Sequence, residues 1–162
     1  AFVGANMRIT ELHGAILNRQ LSKLGPMMAR LRVRRRIAAE TLRQSGLKLA
    51  PHHDEASAAS LVVLFDTPEQ AANFARNPGV TRLLDSSKHV YTNWEAIIAR
   101  RTAHPKMNPW AWANRDVTYE LDACSRTLDI LGRACRVTLA QRFPTPVSRL
   151  LAQRLARSVR PT

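Results

Sequence analysis

The amino-acid sequence predicts one domain of the α/β or α+β class. A chain of 162 residues is long enough for a single domain with a substantial core and too short for two large ones. Residues 61–65 form a continuous apolar run that is typical of a buried strand. A helix start follows at once, and residues 80–84 return to a strand pattern. A strand, a helix and a strand in this order are typical of mixed α/β units.

Two helices are predicted in the N-terminal quarter of the chain. The first covers residues 10–24, and Thr10 is placed to cap its N-terminus. It is expected to end at Gly25 and Pro26, because proline interrupts a helix. The second covers residues 27–45.

The first predicted helix has two apolar faces instead of one. At about 100° per residue, one face holds Leu12, Ala15 and Ile16. The face roughly opposite holds Leu17, Leu21 and Leu24. A helix of this kind must be covered from two sides. The second helix is amphipathic in the usual way. Off its apolar face lie mainly Arg30, Arg32, Arg35, Arg36 and Arg43, as expected of a solvated surface.

The remaining elements follow from turn and periodicity signals. Residues 46–59 read as a loop, and Thr67 caps a helix that has Pro68 in its first turn. Residues 102–118 are irregular in pattern. Further elements are expected as a helix at 121–131, a strand at 135–139 and a helix that begins at 145.

The net charge of +13 suggests a nucleic-acid partner as one hypothesis, because the basic residues are concentrated towards the two ends of the chain. Only four of the 25 basic residues are lysines, a bias that GC-rich coding also produces. The basic stretches lack the interleaved aromatic residues on which single-stranded bases stack. Nucleic acid is therefore not the expected partner, but a non-catalytic basic module for nucleic acid or another polyanion stays open as the alternative function.

Cysteine content and hydropathy argue against a metal-binding protein, a disulfide-linked protein and a membrane protein. Cys124 and Cys135 are eleven residues apart with no second pair at metal spacing, so buried thiols are expected. The His-His-Asp-Glu run at residues 52–55 does not predict a metal site, because adjacent side chains do not all point at one ion. The apolar runs are far shorter than the ~20 residues of a membrane span, and no leader pattern precedes them, which predicts a cytoplasmic protein.

A longer motif runs into the first predicted helix. It reads Gly4-x-Asn6-x-Arg8-x-Thr10-Glu11-Leu12-x-Gly14-Ala15-Ile16, followed by Gln20-Leu21-x-x-Leu24. Three later segments, at 81–85, 89–94 and 124–131, follow in the same order. Together these motifs resemble the C-terminal part of the DegT and DnrJ family, over nearly the whole chain. Members of this family are pyridoxal-phosphate-dependent aminotransferases of fold type I that act mostly on keto sugars and related cyclic ketones.

The resemblance implies a particular architecture. It places an N-terminal helix pair before a small, largely antiparallel sheet with helices packed on it, all within one C-terminal domain of residues 1–162. Residues 1–46 would form an interface loop and the helix pair, and residues 47–162 a small α/β subdomain. The domain that holds the cofactor and its lysine is expected to be absent from this chain. The two-faced helix would then lie between its own domain and another.

Transamination requires a lysine that binds pyridoxal 5'-phosphate covalently. The family's lysine typically follows a serine by three residues, and of the four lysines only Lys48 has such a serine, at a helix exit with no strand leading in. The chain alone is therefore expected not to transaminate. The resemblance implies a homo- or heterodimer with a lysine-bearing domain or subunit, with which the cofactor is shared. It leaves open whether that part belongs to a longer enzyme or to a separately encoded chain.

The resemblance also assigns candidate site residues, none of them catalytic. Asn6 resembles a donor to the cofactor phosphate of the partner subunit, and Arg8 would orient that loop or neutralise charge. The alternative is that Asn6 shapes the turn and Arg8 lies on the surface. His89 and Tyr91 resemble residues that approach the substrate, and the alternative for them is a sheet-edge histidine and a packed aromatic residue.

Overall fold

The computed structural model describes residues 9–54, 60–139 and 144–159, and it confirms the predicted α+β class. The helices are α1 (Glu11–Gln44), α2 (Pro68–Phe74), α3 (Glu95–Ile98), α4 (Pro109–Trp112), α5 (Ser125–Gly132) and α6 (Thr145–Arg157). The strands are β1 (Lys48–Leu49), β2 (Ser60–Leu64), β3 (Val80–Arg82) and β4 (Ala134–Thr138). Short 3-10 turns occupy Leu83–Asp85, Ser87–His89, Tyr91–Asn93 and Pro105–Met107.

The four strands form one antiparallel sheet in the order β1, β2, β4, β3. The predicted unit of strand, helix and strand is present as β2, α2 and β3. Its two strands are not neighbours, because β4 lies between them and pairs with both. Local sequence patterns do not predict this position of β4, because β4 begins more than 50 residues after β3 ends.

One side of the sheet carries the hydrophobic core. Leu61 and Val63 of β2 lie opposite Val137 and Cys135 of β4, and all four are buried. The second half of α1 and the C-terminal helix α6 pack against each other and against this side. Helix α2 packs there as well, since the Cys135 thiol donates a hydrogen bond to a carbonyl oxygen of α2 at 3.1 Å.

The predicted break between two N-terminal helices is wrong. Helix α1 runs without interruption for 34 residues and contains Pro26. The proline lacks the N–H that would bond the Ser22 carbonyl, at a cost of about 3 kcal/mol. Gly25 has no Cβ, which removes one of the two contacts through which the residue before a proline clashes with the proline ring. The packing of residues 31–42 on the sheet fixes the helical direction from which the first half extends.

The start of α2 follows the sequence signal closely. The Gln70 amide donates to the Thr67 hydroxyl, and the Thr67 amide donates to the Gln70 side-chain oxygen, both at 3.3 Å. This reciprocal pair is a capping box. The strand expected at 80–84 ends early at Arg82, whose guanidinium binds the Asp85 carboxylate and closes the following turn.

Two surface expectations are corrected by the structure. Arg35, which was expected on a solvated face, is only 5% exposed, and the neighbouring Arg34 is buried to the same extent. They follow Leu31 by one helical turn, so they share the packed side of α1. Cys135 is buried as expected, whereas Cys124 is exposed because it precedes α5 outside the sheet. Among the described residues, no helix combines the length and apolar character that a membrane span requires.

Candidate functional site

The first half of α1 presents both of its apolar faces to solvent. Leu12 and Ile16 on one face are 69% and 50% exposed, and Leu17 and Leu21 on the other are 56% and 65% exposed. Every residue from 11 to 24 is exposed, whereas the packed residues of the helix begin at Leu31. The helix therefore has the two apolar faces that the sequence predicts, and the described part of the chain covers neither of them.

A row of apolar side chains follows one side of α1 from the exposed leucines to the first buried residue of the helix. It consists of Leu17, Leu21, Leu24, Met27 and Leu31. Covering one such leucine contributes about 1.5–3 kcal/mol, whereas a helix of 14 residues without cover is marginal in water. The exposed apolar faces of the first half of the helix thus form an apolar docking surface, defined here as residues 12–24 of α1.

A second region lies after β3, where hydrogen bonds close residues 87–94 into a compact loop. The Lys88 ammonium donates to the Asn93 carbonyl oxygen, and the Trp94 indole N–H donates to the Lys88 carbonyl oxygen, each at 2.6 Å. The Asn93 side-chain amide donates to the Ser87 carbonyl oxygen at 2.9 Å. Ser87 adopts a φ of 58°, a strained value that these bonds hold in place.

His89 and Tyr91 lie on this loop, but they differ in their surroundings. His89 is exposed at the end of a 3-10 turn instead of at a sheet edge. The half-buried Tyr91 hydroxyl donates to the Leu121 carbonyl oxygen at 2.8 Å and accepts from the Cys124 amide at 3.2 Å. Within the described residues no hydrogen bond joins His89 to Tyr91. A tyrosine hydroxyl accepts up to two hydrogen bonds, so one lone pair of Tyr91 stays available.

The other two candidate residues, Asn6 and Arg8, lie outside the described residues. Their assignment to the cofactor phosphate stays a prediction from the sequence.

None of the four lysines lies in a sheltered site. Lys48 lies at the mouth of a surface pocket of about 330 Å³, but its ammonium is exposed and pairs with the Asp66 carboxylate at 3.3 Å. Lys88 is engaged in the loop bond, and Lys23 and Lys106 are exposed on the surface. A lysine that binds a cofactor carbonyl needs a sheltered amine. In the described part of the chain, no three histidine, cysteine, aspartate or glutamate side chains are grouped so as to hold a metal.

Charged pairs near the loop are structural in character. The Arg82 hydrogen bond to Asp85, at 2.8 Å, raises the pKa of the Arg82 guanidinium and anchors the chain just before residue 87. The Arg133 guanidinium lowers the pKa of the Asp129 carboxyl by hydrogen bonding to it across one turn of α5. Both pairs are partly exposed, so each contributes little to stability.

Sequence reasoning did not identify the residues that shape the 87–94 loop. Lys88, Asn93 and Trp94 bond to backbone carbonyl oxygens, and such bonds leave no side-chain pairing pattern in the sequence. The capping partner Gln70 was also missed, although a threonine followed three residues later by glutamine is a recognisable signal.

Comparison with known proteins adds one match. A family model described as the DegT/DnrJ/EryC1/StrS aminotransferase family matches residues 1–92, more than half of the chain. The match includes the whole of α1 together with His89 and Tyr91, and it ends before the 124–131 segment, whose resemblance stays an interpretation of the sequence. A search of curated proteins found no match.

Proposed function

The chain belongs to the DegT/DnrJ/EryC1/StrS aminotransferase family, and from this premise we propose that it forms the C-terminal, dimerisation and substrate-facing part of a pyridoxal-phosphate-dependent aminotransferase. The observation that carries the proposal is the uncovered first half of α1, with large apolar side chains exposed on two sides. In an assembled enzyme, one side would contact a lysine-bearing domain or subunit and the other a second protomer.

The lysine-bearing partner would supply the covalent attachment of pyridoxal 5'-phosphate, since none of the described lysines is sheltered. When bound, the cofactor supplies the electron sink for transamination. This chain would contribute Asn6 to the cofactor phosphate, with Arg8 orienting the same loop or balancing the phosphate charge. By itself the chain would be inactive.

The 87–94 loop would form the substrate-facing part of this domain. The exposed His89 ring is free to donate to or accept from a sugar hydroxyl. Tyr91 would approach with the remaining lone pair of its hydroxyl, while its two hydrogen bonds keep the loop in place. We propose a keto sugar or related cyclic ketone as substrate, sugar biosynthesis as the process and the cytoplasm as the location, all by analogy with the family.

Reconstitution tests the proposal directly. The chain is mixed with a lysine-bearing aminotransferase domain of the same family and with pyridoxal 5'-phosphate, and both the complex and the absorbance of the bound cofactor are measured. We expect a stoichiometric complex, a changed cofactor spectrum and transaminase activity with a keto sugar. The chain without the domain is the control and should show none of these. A panel of such domains that yields neither a complex nor a spectral change would refute the proposal.

A further inference from the structure

The second half of α1 and helix α6 form one basic helical layer, defined here as residues 27–44 and 144–157. These two segments contact each other on one side of the sheet, although about 100 residues separate them in the chain. Together they contain nine arginines and no lysine, and Glu40 is their one acidic residue. The tertiary fold therefore brings together two clusters of charge that the sequence shows only as separate basic ends.

The acidic residues of the protein lie elsewhere. Ten of the twelve fall between residues 54 and 129, outside the basic helical layer. Several of them are already engaged with arginines or lysines of their own region, as in the pairs of Asp85 with Arg82, Asp116 with Arg100 and Asp129 with Arg133. By count, the layer therefore carries nine positive side chains and one negative one, and Arg32, Arg34, Arg35 and Arg43 among them already take part in interactions.

Part of this charge is directly available to a ligand. Five arginines of the layer are exposed and form no salt bridge with any residue that the structure describes: Arg30, Arg36, Arg149, Arg154 and Arg157. Guanidinium groups bind phosphate oxygens through two parallel hydrogen bonds and lose less solvation than ammonium groups do. An exposed set composed of arginine alone therefore suits phosphate groups.

We infer that the basic helical layer binds the phosphate backbone of double-stranded nucleic acid without reading its sequence. The described layer has no aromatic residue, and the large apolar residues exposed on it are Val33, Val147, Leu150 and Leu151. Single-stranded nucleic acid is held largely by stacking on aromatic rings, which this surface does not offer. Binding to a duplex through phosphates alone requires only cations spread over a surface. This activity is separate from transamination and does not depend on the proposed function.

The experiment measures binding of the full 162-residue chain to a labelled duplex DNA of about 20 base pairs between about 50 and 200 mM salt. The layer variant R149Q/R154Q/R157Q is compared with the matched control R76Q/R101Q/R115Q, which removes three exposed arginines elsewhere. Each phosphate contact contributes about −0.9 to the slope of log K against log salt. We expect the layer variant to lose at least tenfold in affinity and its slope to become shallower by about two to three. The control should stay within about threefold of the parent.

Several outcomes would overturn the inference: equal losses in both variants, tighter binding to single-stranded than to duplex DNA, or binding to phosphatidylserine vesicles with none to DNA. Circular dichroism checks that each variant is folded. If the triple layer variant loses helical signal, the single variants R149Q, R154Q and R157Q are measured, and an unchanged salt slope in all three would equally contradict the inference.

Discussion

The Tyr91 hydroxyl donates a hydrogen bond to the carbonyl oxygen of Leu121, 30 residues further along the chain, over 2.8 Å. The Tyr91 hydroxyl oxygen also accepts a hydrogen bond from the Cys124 amide, at 3.2 Å. One phenolic oxygen thus ties the 87–94 loop to the segment that leads into α5.

Tyr91→Phe removes both hydrogen bonds while keeping the aromatic ring. We expect the free energy of unfolding to fall by about 1–2 kcal/mol, because each bond contributes about 0.5–1.5 kcal/mol and the site is partly open to water. Urea denaturation followed by circular dichroism measures the change. An unchanged unfolding midpoint would show that the loop is held by its internal bonds alone.

His89→Ala tests the substrate-facing role without disturbing the fold. His89 is exposed, so the substitution should change the free energy of unfolding by no more than about 0.5 kcal/mol. In the assembled enzyme we expect kcat/KM to fall at least about tenfold, the effect of losing one hydrogen bond to the substrate. If activity is unchanged in the folded variant, His89 does not contact the substrate.

Leu21→Glu places a charge on the apolar docking surface of α1. The isolated chain should keep its stability, since Leu21 is 65% exposed, but its association with a partner domain or second protomer should weaken at least about tenfold. Leu150→Glu is the matched control, because Leu150 of α6 is 64% exposed but lies outside that surface. Analytical ultracentrifugation measures the association constant of each of the two variants. Equal effects of the two substitutions would argue against a specific docking role for α1.

Pro26→Ala restores a donor in the middle of α1. The new amide can bond the Ser22 carbonyl, and we expect residues 12–24 to gain up to about 3 kcal/mol of local stability. Hydrogen exchange of these amides should slow accordingly. Gly14→Ala is the control for helix propensity alone and should contribute about 1 kcal/mol, since its added methyl group meets open space. Faster exchange after Pro26→Ala would indicate that the continuous helix is not the solution conformation.

The two cysteines should differ in reactivity. Cys124 is exposed and should be labelled by a thiol reagent in the folded chain, whereas buried Cys135 should react only after unfolding. Burial raises the pKa of the Cys135 thiol to about 11. The folded state therefore holds this proton more tightly than the unfolded state, and stability should decline as the pH rises from about 9 to about 11. Thiol labelling of the parent chain and of Cys135→Ser shows which cysteine reacts. Denaturation of the same two proteins at pH 7 and pH 10 measures the change in stability that depends on the Cys135 thiol. Equal labelling rates in the folded chain would contradict the assigned burial.

Local signals in the sequence determined most elements of this protein. The strand at 61–65, the Thr67 cap and the helix from Thr145 were predicted closely, because side-chain periodicity and capping act over a few residues. The two apolar faces of the first helix were also predicted from the sequence, and from them we expected that another surface covers this helix. The family resemblance of the first 92 residues is likewise a property of the sequence alone.

Other features were decided by contacts between distant parts of the chain. Arg35 is buried although the sequence placed it off the apolar face of an amphipathic helix, and the packing of α6 on α1 gathers the arginines of both ends in one layer. The continuity of α1 through Pro26 depends on the anchored half beyond it, which outweighs one missing hydrogen bond. The position of β4 between β2 and β3, and the reach of Tyr91 to Leu121, depend on which surfaces meet after collapse. Periodicity records which side of an element is apolar, but only the assembled core selects the surface against which that side is buried.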